Sequence, residues 1–151
     1  GEGDGGRALD VVVEGADALP VACQESDGVL GGEVLELGQR IGAVSGRHAF
    51  HPPCTLQHWQ KLRGVTETVL RDLGFELVPF QESHLCCGSA GTYSITQKEL
   101  STRLRDRKLR NISAGAPDSI VSSNIGCITH LQSGAQVPVR HWIEVVDEAL
   151  H

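Results

Sequence analysis

No stretch of this sequence approaches the roughly 20 consecutive apolar residues that span a bilayer. Residues 9–13 are too few, and Glu14 and Asp17 interrupt the segment after them. The N-terminus is rich in glycine and acidic residues, whereas a secretory signal peptide is basic and then apolar. The sequence therefore predicts a cytoplasmic protein without a transmembrane segment, which reaches the inner face of the cell membrane only through partners.

The chain also has little positive charge and lacks the motifs of nucleotide-binding loops. Its formal net charge is −6 at pH 7, which argues against a nucleic-acid partner. The glycine-rich residues 88–92 (GSAGT) carry neither the lysine of a P-loop nor the G-x-G-x-x-G pattern of a dinucleotide fold. No carboxylate pair and no Ser/His/Asp arrangement stands out as a hydrolytic site. The cysteines are therefore the main chemical signal in this sequence.

At 151 residues, with 40% apolar and 21% charged residues, the chain has the balance of one globular domain. Residues 1–46 are rich in glycine and show little periodicity, so no fold is assigned to them. Residues 47–151 are predicted to alternate strands with helices. The predicted strands are 47–51, 75–80, 119–123 and 137–139, and the predicted helices are 56–73, 96–112, 127–132 and 141–150. This alternation predicts an α/β fold, a small parallel sheet with helices on both faces.

Four of the five cysteines follow predicted strands: Cys54 the first, Cys86 and Cys87 the second, and Cys127 the third. The carboxyl ends of parallel strands form the ligand crevice of such sheets, so these cysteine loops are expected to converge. Thiolates in fours are the ligands of iron–sulfur clusters and of structural zinc. Zinc sites take their sulfurs in C-x2-4-C pairs, which this chain lacks, so the adjacent pair favours a multi-iron cluster. Cys23 is expected to be a free or buried thiol.

Residues near the cysteines are candidates for supporting roles. Gly88, Gly91 and Gly126 are predicted to bring backbone N–H groups close to a cofactor and its sulfurs. His130, three residues after Cys127, is expected to be a polar residue on the turn, with a role as a replacement ligand as the alternative. The basic residues 103–110 are expected to form a solvated helix face, with docking of an acidic partner or lipid headgroups as the alternative.

Four strings in the last two-thirds of the chain carry a resemblance to a known family. They are HPPCTLQHWQKLRG (51–64), ESHLCCGSAGTYSI (82–95), SSNIGCITHLQSG (122–134) and VPVRHWIEVVD (137–147). They resemble the cysteine-rich CCG domain shared by heterodisulfide reductases and the iron–sulfur subunits of glycolate and lactate oxidases. The likeness is strongest to the C-terminal part of the glycolate oxidase iron–sulfur subunits.

The resemblance implies an electron-transfer subunit of a glycolate or lactate oxidase complex, an oxidoreductase. Such a subunit passes electrons from a flavin subunit toward the respiratory chain, through a quinone or another redox acceptor, and does not itself oxidise the substrate. Four cysteines suffice for one [4Fe–4S] cluster. Two alternatives remain open: a non-catalytic, metal-stabilised domain that docks a partner subunit, and a thiol–disulfide reductase of the heterodisulfide type.

The sequence departs from the broader family at two places. The heterodisulfide reductase pattern ends in C-x-x-C, whereas this chain has His130 where the second cysteine would stand. The ferredoxin-like region with C-x-x-C-x-x-C runs and the second CCG repeat of the family are also absent from this sequence. The chain therefore looks like a fragment of a longer subunit.

Overall fold

The structure is a computed structural model that describes residues 36, 38, 41 and 44–151. The predictions about Cys23 and about nearly all of residues 1–46 fall outside the described residues. No helix in the part of the chain described here is long and apolar enough to cross a membrane.

Four strands form one sheet in which every pairing is parallel, in the order β2-β1-β3-β4. The strands are β1 (Arg47–His51), β2 (Glu76–Leu77), β3 (Ser119–Ser122) and β4 (Val139–His141). The helices between and after them are α1 (Val65–Asp72), α2 (Tyr93–Thr96), α3 (Lys98–Ser113), α4 (Ile125–Gln132) and α5 (Trp142–Leu150). The predicted α/β fold with a parallel sheet is confirmed.

Strand alternation divides the core into two layers, one on each face of the sheet. On one face Ala49 and Ile120 pack with Leu109 of α3 and Leu131 of α4. On the other face, Phe50 of β1 packs with apolar side chains of α1 and α5. Helices therefore cover both faces, as the alternation of apolar strands with helical segments predicts.

The predicted helix over residues 56–73 is wrong in its first half. A short π-helical turn (Thr55–Trp59) is followed by irregular chain, and α1 begins only at Val65. Lys61 and Gly64 have positive φ angles of 57° and 78°, a left-handed backbone that interrupts a right-handed helix. Trp59 is one of the apolar residues whose spacing suggested that helix, and it is 87% exposed.

The other boundaries shift by a few residues, and proline accounts for two of the shifts. The strand predicted over 75–80 is only Glu76–Leu77, since Pro79 has no N–H for the ladder. The last strand begins after Pro138 instead of at residue 137. The second predicted helix starts earlier and is interrupted at Gln97, whose φ and ψ angles of −126° and 52° are not helical.

Candidate metal centre

The four predicted ligands lie together in a row where the loops after β1, β2 and β3 meet. The Cys54 thiol interacts with that of Cys86, and the Cys87 thiol interacts with those of Cys86 and Cys127. All four are free thiols; Cys87 and Cys127 are buried, and Cys54 and Cys86 are half-buried. The structure thus brings together the cysteines of three loops, as the parallel topology predicts.

Cys54 is held at the end of β1 by the turn that follows it. Pro52 and Pro53 end the strand, and their carbonyls both accept hydrogen bonds from Gln57. The side-chain amide of Gln57 donates to the Pro52 oxygen over 2.8 Å, and its backbone N–H donates to the Pro53 oxygen over 3.0 Å. Gln57 is buried, so these bonds fix the first cysteine loop against the domain.

The loop at Cys86 and Cys87 supplies hydrogen-bond donors to sulfur. The backbone N–H of Gly88 donates to Sγ of Cys86 over 3.3 Å. The hydroxyl of Ser89 accepts from the Cys87 thiol over 3.4 Å and donates to Sγ of Cys127 over 3.6 Å. Ser89, which no sequence motif had indicated, therefore joins two cysteine loops. Donors of this kind stabilise ionised sulfur.

The three glycines predicted to bind the cofactor have different surroundings. Gly88 has φ of +95°, and a Cβ there would lie 2.5 Å from the backbone oxygen of Ser101. A Cβ on Gly126 would lie 3.2 Å from Oδ1 of Asn124, whereas one on Gly91 would meet nothing within 4 Å. Gly88 thus permits close packing of its loop on α3, and cofactor contact by the three glycines stays a prediction.

The thiols need a positively charged group if all are to ionise. Burial and then the Cys86 thiol raise the pKa of Cys54, and the hydrogen bond to Cys87 and then burial raise the pKa of Cys86 well above its usual range. The hydrogen bond to Cys127 raises the pKa of Cys87 in the same way. Such a buried row of thiols fits a cationic metal group, which stabilises the thiolate form.

The row also bears on the kind of metal group. Within residues 44–151 and the three described residues before them, no three His, Cys, Asp or Glu side chains close on a single ion. Four thiolates are the ligand set of one [4Fe–4S] cluster, in which each sulfur binds a different iron. The residues present therefore fit an iron–sulfur cluster.

The family model of the cysteine-rich CCG domain matches residues 48–132, a range that includes all four cysteines of the row. The chain belongs to the CCG family. The chain is 57% identical over 102 residues to the glycolate oxidase iron–sulfur subunit of Escherichia coli, covering 68% of this chain and 25% of that protein. Lactate utilization protein A of Geobacillus kaustophilus is 30% identical over 124 residues, covering 76% and 51%. The chain thus spans a quarter to a half of these relatives.

Asn124 caps the helix that carries the last cysteine of the CCG domain. Its Oδ1 accepts from the Cys127 backbone N–H over 3.1 Å, and α4 begins at Ile125, two residues before the predicted start. Hydrogen bonding from Cys87 lowers the pKa of Cys127, and Ser89 lowers it further. The predicted start at residue 127 overlooked this cap, although asparagine before an apolar run is a helix-start signal.

We expect Asn124→Ala to destabilise the domain by about 1 kcal/mol, because it removes the capping oxygen of α4. Urea unfolding of the apo-protein measures the loss. Asn124→Asp retains a capping oxygen and serves as the matched control, so it should unfold close to the wild type. If both variants lost the same amount of stability, the loss would not come from removal of the capping oxygen.

A lysine that the sequence placed in a solvated stretch lies inside the CCG domain. Lys108 is only 2% exposed, and its Nζ donates to the carbonyls of Glu82 and Ser83 over 2.6 and 3.1 Å. For Lys108 the prediction of a solvated face is wrong, since it lies on the buried side of α3 with Leu109 and Ile112. Its spacing from those apolar residues is consistent with the buried side of α3, but no sequence signal shows the two carbonyls that accommodate its charge.

His130 contacts α3 next to the loop that contains Cys86, Cys87 and Gly88. Its Nε2 lies 3.1 Å from the hydroxyl of Ser101, which itself donates to the Gly88 carbonyl over 2.7 Å. Because the serine proton goes to Gly88, His130 donates through Nε2 to the serine oxygen. This nitrogen is engaged with α3, and His130 lies within α4 and not on a turn. Its role as a polar residue, with a replacement ligand as the alternative, stays a prediction.

His51 is buried on the same face of the sheet as the cysteines. The Ser122 hydroxyl donates to the His51 carbonyl over 2.8 Å, so Nδ1 of His51 donates to that hydroxyl over 3.3 Å. Its Nε2 is buried without a partner among the described residues. Burial, and then the charge of Lys108, lower the pKa of His51 to about 3.

We expect the apo-protein to lose about 2 kcal/mol of stability between pH 7 and pH 5 through His51. The folded pKa is depressed, so the unfolded chain takes up the proton first, and stability falls as the pH drops below the usual value of 6.5. Urea unfolding at both pH values measures the loss. His51→Gln should show a correspondingly smaller pH dependence, and an equal dependence in both proteins would contradict the assignment.

Proposed function

We propose that this CCG domain binds a [4Fe–4S] cluster through Cys54, Cys86, Cys87 and Cys127 and carries electrons within a glycolate or lactate oxidase complex. The observation that carries the proposal is the row of four free thiols from three loops at one edge of the sheet. The names of the relatives support it, since they describe an iron–sulfur subunit of glycolate oxidase and a lactate utilization protein.

The residues around the row would hold the cluster and tune it. When bound, such a cluster supplies a one-electron redox couple. The N–H of Gly88 and the hydroxyl of Ser89 donate to sulfur and favour the ionised ligands. Cys87 and Cys127 close the inner side against solvent, and the half-buried Cys54 and Cys86 leave the outer side within reach of a redox partner.

Three exposed apolar side chains lie close in sequence to the cysteines, which suits contact with another subunit. Trp59, Ile95 and Ile125 are 87%, 80% and 75% exposed, and each follows or adjoins one of the cysteine loops. We assign these side chains to docking of the flavin subunit, which oxidises the 2-hydroxy acid and delivers electrons here. The chain is then an oxidoreductase subunit that does not bind the substrate, and a quinone or another acceptor takes the electrons onward.

Metal analysis tests the proposal directly. The protein is purified anaerobically, and iron, acid-labile sulfide and zinc are measured, with an electron paramagnetic resonance spectrum after reduction by dithionite. About four irons and four sulfides per chain are expected for a cubane cluster. Zinc without sulfide would overturn electron transfer in favour of a metal-stabilised docking domain. No metal after reconstitution would overturn both.

A further inference from the structure

A buried positive charge without an acidic partner lies behind the row of cysteines. Nζ of Lys108 donates to the carbonyls of Glu82 and Ser83, and it lies 5.4 Å from the centre of the Phe80 ring. Within the described residues no carboxylate forms a salt bridge with it. A buried ammonium group is costly unless a negative charge compensates it, so this lysine calls for an explanation.

The carboxylate of Glu82, in the turn that Lys108 contacts, is bound by other side chains. The carboxylate of Glu82 is bound by the guanidinium of Arg107 and by the side-chain amide of Asn111, the latter over 2.7 Å. It lies on the exposed side of the turn, whereas Lys108 reaches only the backbone carbonyl of the same residue. The pairing that would neutralise Lys108 within the protein is therefore already used by a neighbouring arginine.

The groups that interact most with the charge of Lys108 are the cysteines. Burial is the largest influence and leaves the pKa of Lys108 lowered, at about 8, although the sulfurs of Cys87, Cys54 and Cys86 and then the carboxylate of Glu82 act to raise it. Cys86 and Lys108 line the same narrow gap, together with Leu85, Leu104 and the polar side chains of Glu82, Arg107 and Asn111. Lys108 is only 2% exposed, so water screens its field at the neighbouring sulfur weakly.

We propose that Lys108 is a positioning residue that raises the reduction potential of the cluster by placing a fixed positive charge behind Cys54, Cys86 and Cys87. The inference rests on the proposed function. A thiolate-ligated cluster gains negative charge when it takes an electron, so a nearby cation stabilises the reduced form more than the oxidised form. The two carbonyls of the turn hold the ammonium group in place without cancelling its charge.

The test separates the effect of the charge at residue 108 from the effect of the size of its side chain. Lys108→Met and Lys108→Gln remove the charge, Lys108→Arg keeps it, and Arg110→Gln removes an exposed charge from the same helix as a control. In redox titrations followed by electron paramagnetic resonance, the two neutral variants should disfavour reduction at least tenfold, about 59 mV for a one-electron couple. Lys108→Arg and Arg110→Gln should stay close to the wild-type potential.

A second readout does not depend on the cluster. In the folded apo-proteins, alkylation of the cysteines by iodoacetamide at fixed pH should be about tenfold slower in the neutral variants, since the lysine no longer stabilises thiolate. If the wild type binds no cluster, the proposed function fails, whereas the alkylation rates still test the lysine. Neutral variants with wild-type potential and alkylation rate would overturn the inference. If both neutral variants, Lys108→Met and Lys108→Gln, failed to fold, the inference would also be overturned. The hydrogen bonds to the turn would then be the main contribution of Lys108.

Discussion

Cys87→Ser is expected to remove nearly all bound iron and acid-labile sulfide, and Cys86→Ser is expected to do the same. Cys87 is buried in the middle of the row, where its sulfur interacts with those of both Cys86 and Cys127. A serine hydroxyl stays protonated at neutral pH when free and is a harder, weaker ligand for cluster iron than a thiolate. Metal and sulfide analysis after anaerobic reconstitution measures the loss, together with the disappearance of the reduced-state resonance signal.

The matched control is the remaining cysteine of the chain. Cys23 lies outside both the described residues and the 48–132 range of the family match, so Cys23→Ser should retain the full complement of iron and sulfide. Thermal unfolding of each apo-protein shows whether a variant is folded before its metal content is compared. Retention of the cluster by Cys87→Ser, or its loss in Cys23→Ser, would contradict the assigned ligand set.

Gly88→Ala is expected to destabilise the domain by about 3 kcal/mol and to reduce cluster binding with it. The added Cβ would lie 2.5 Å from the Ser101 carbonyl oxygen and 3.1 Å from its carbonyl carbon and Cα, atoms of the α3 backbone that cannot turn aside. The φ angle of +95° adds strain for any residue with a side chain. Urea unfolding of the apo-protein gives the stability, and iron content gives the effect on the site.

Gly91→Ala separates the steric effect from the conformational one. Gly91 also has a positive φ, +49°, but a Cβ there meets nothing within 4 Å. Its replacement should therefore cost only about 1 kcal/mol, the ordinary cost of a left-handed residue with a side chain. If both alanine variants lost the same stability, close packing of the Gly88 loop on α3 would not be what requires glycine there.

The sheet and the convergence of the cysteines were predictable from the sequence for a simple reason. Short apolar segments alternate with helical ones and are bounded by Pro52, Gly74 and Pro117, so the parallel topology follows from local signals. Once the topology is parallel, residues that follow successive strands lie at one edge of the sheet. The meeting of Cys54, Cys86 and Cys127 depends on that rule alone.

Other features depend on tertiary contacts that periodicity does not encode. The apolar spacing of residues 56–73 suggested one helix, but the chain turns left-handed at Lys61 and Gly64 and leaves Trp59 exposed. The burial of Lys108 was hidden because its neighbours Arg107 and Arg110 are exposed, so the stretch looked uniformly solvated. Only the partners supplied by the turn at Glu82 show why a lysine is accommodated inside.

The pairing of β1 with β3 also sets the order of events when the protein is made. His48 and Ser119 are neighbours in the sheet although 71 residues separate them in the chain, so a long loop must close before the strands meet. On the ribosome, Cys86 and Cys87 emerge well before Cys127, so the ligand set proposed above is incomplete until that segment has been made. The proposed cluster would then be assembled late, and oxidation of the adjacent pair before that step would block it.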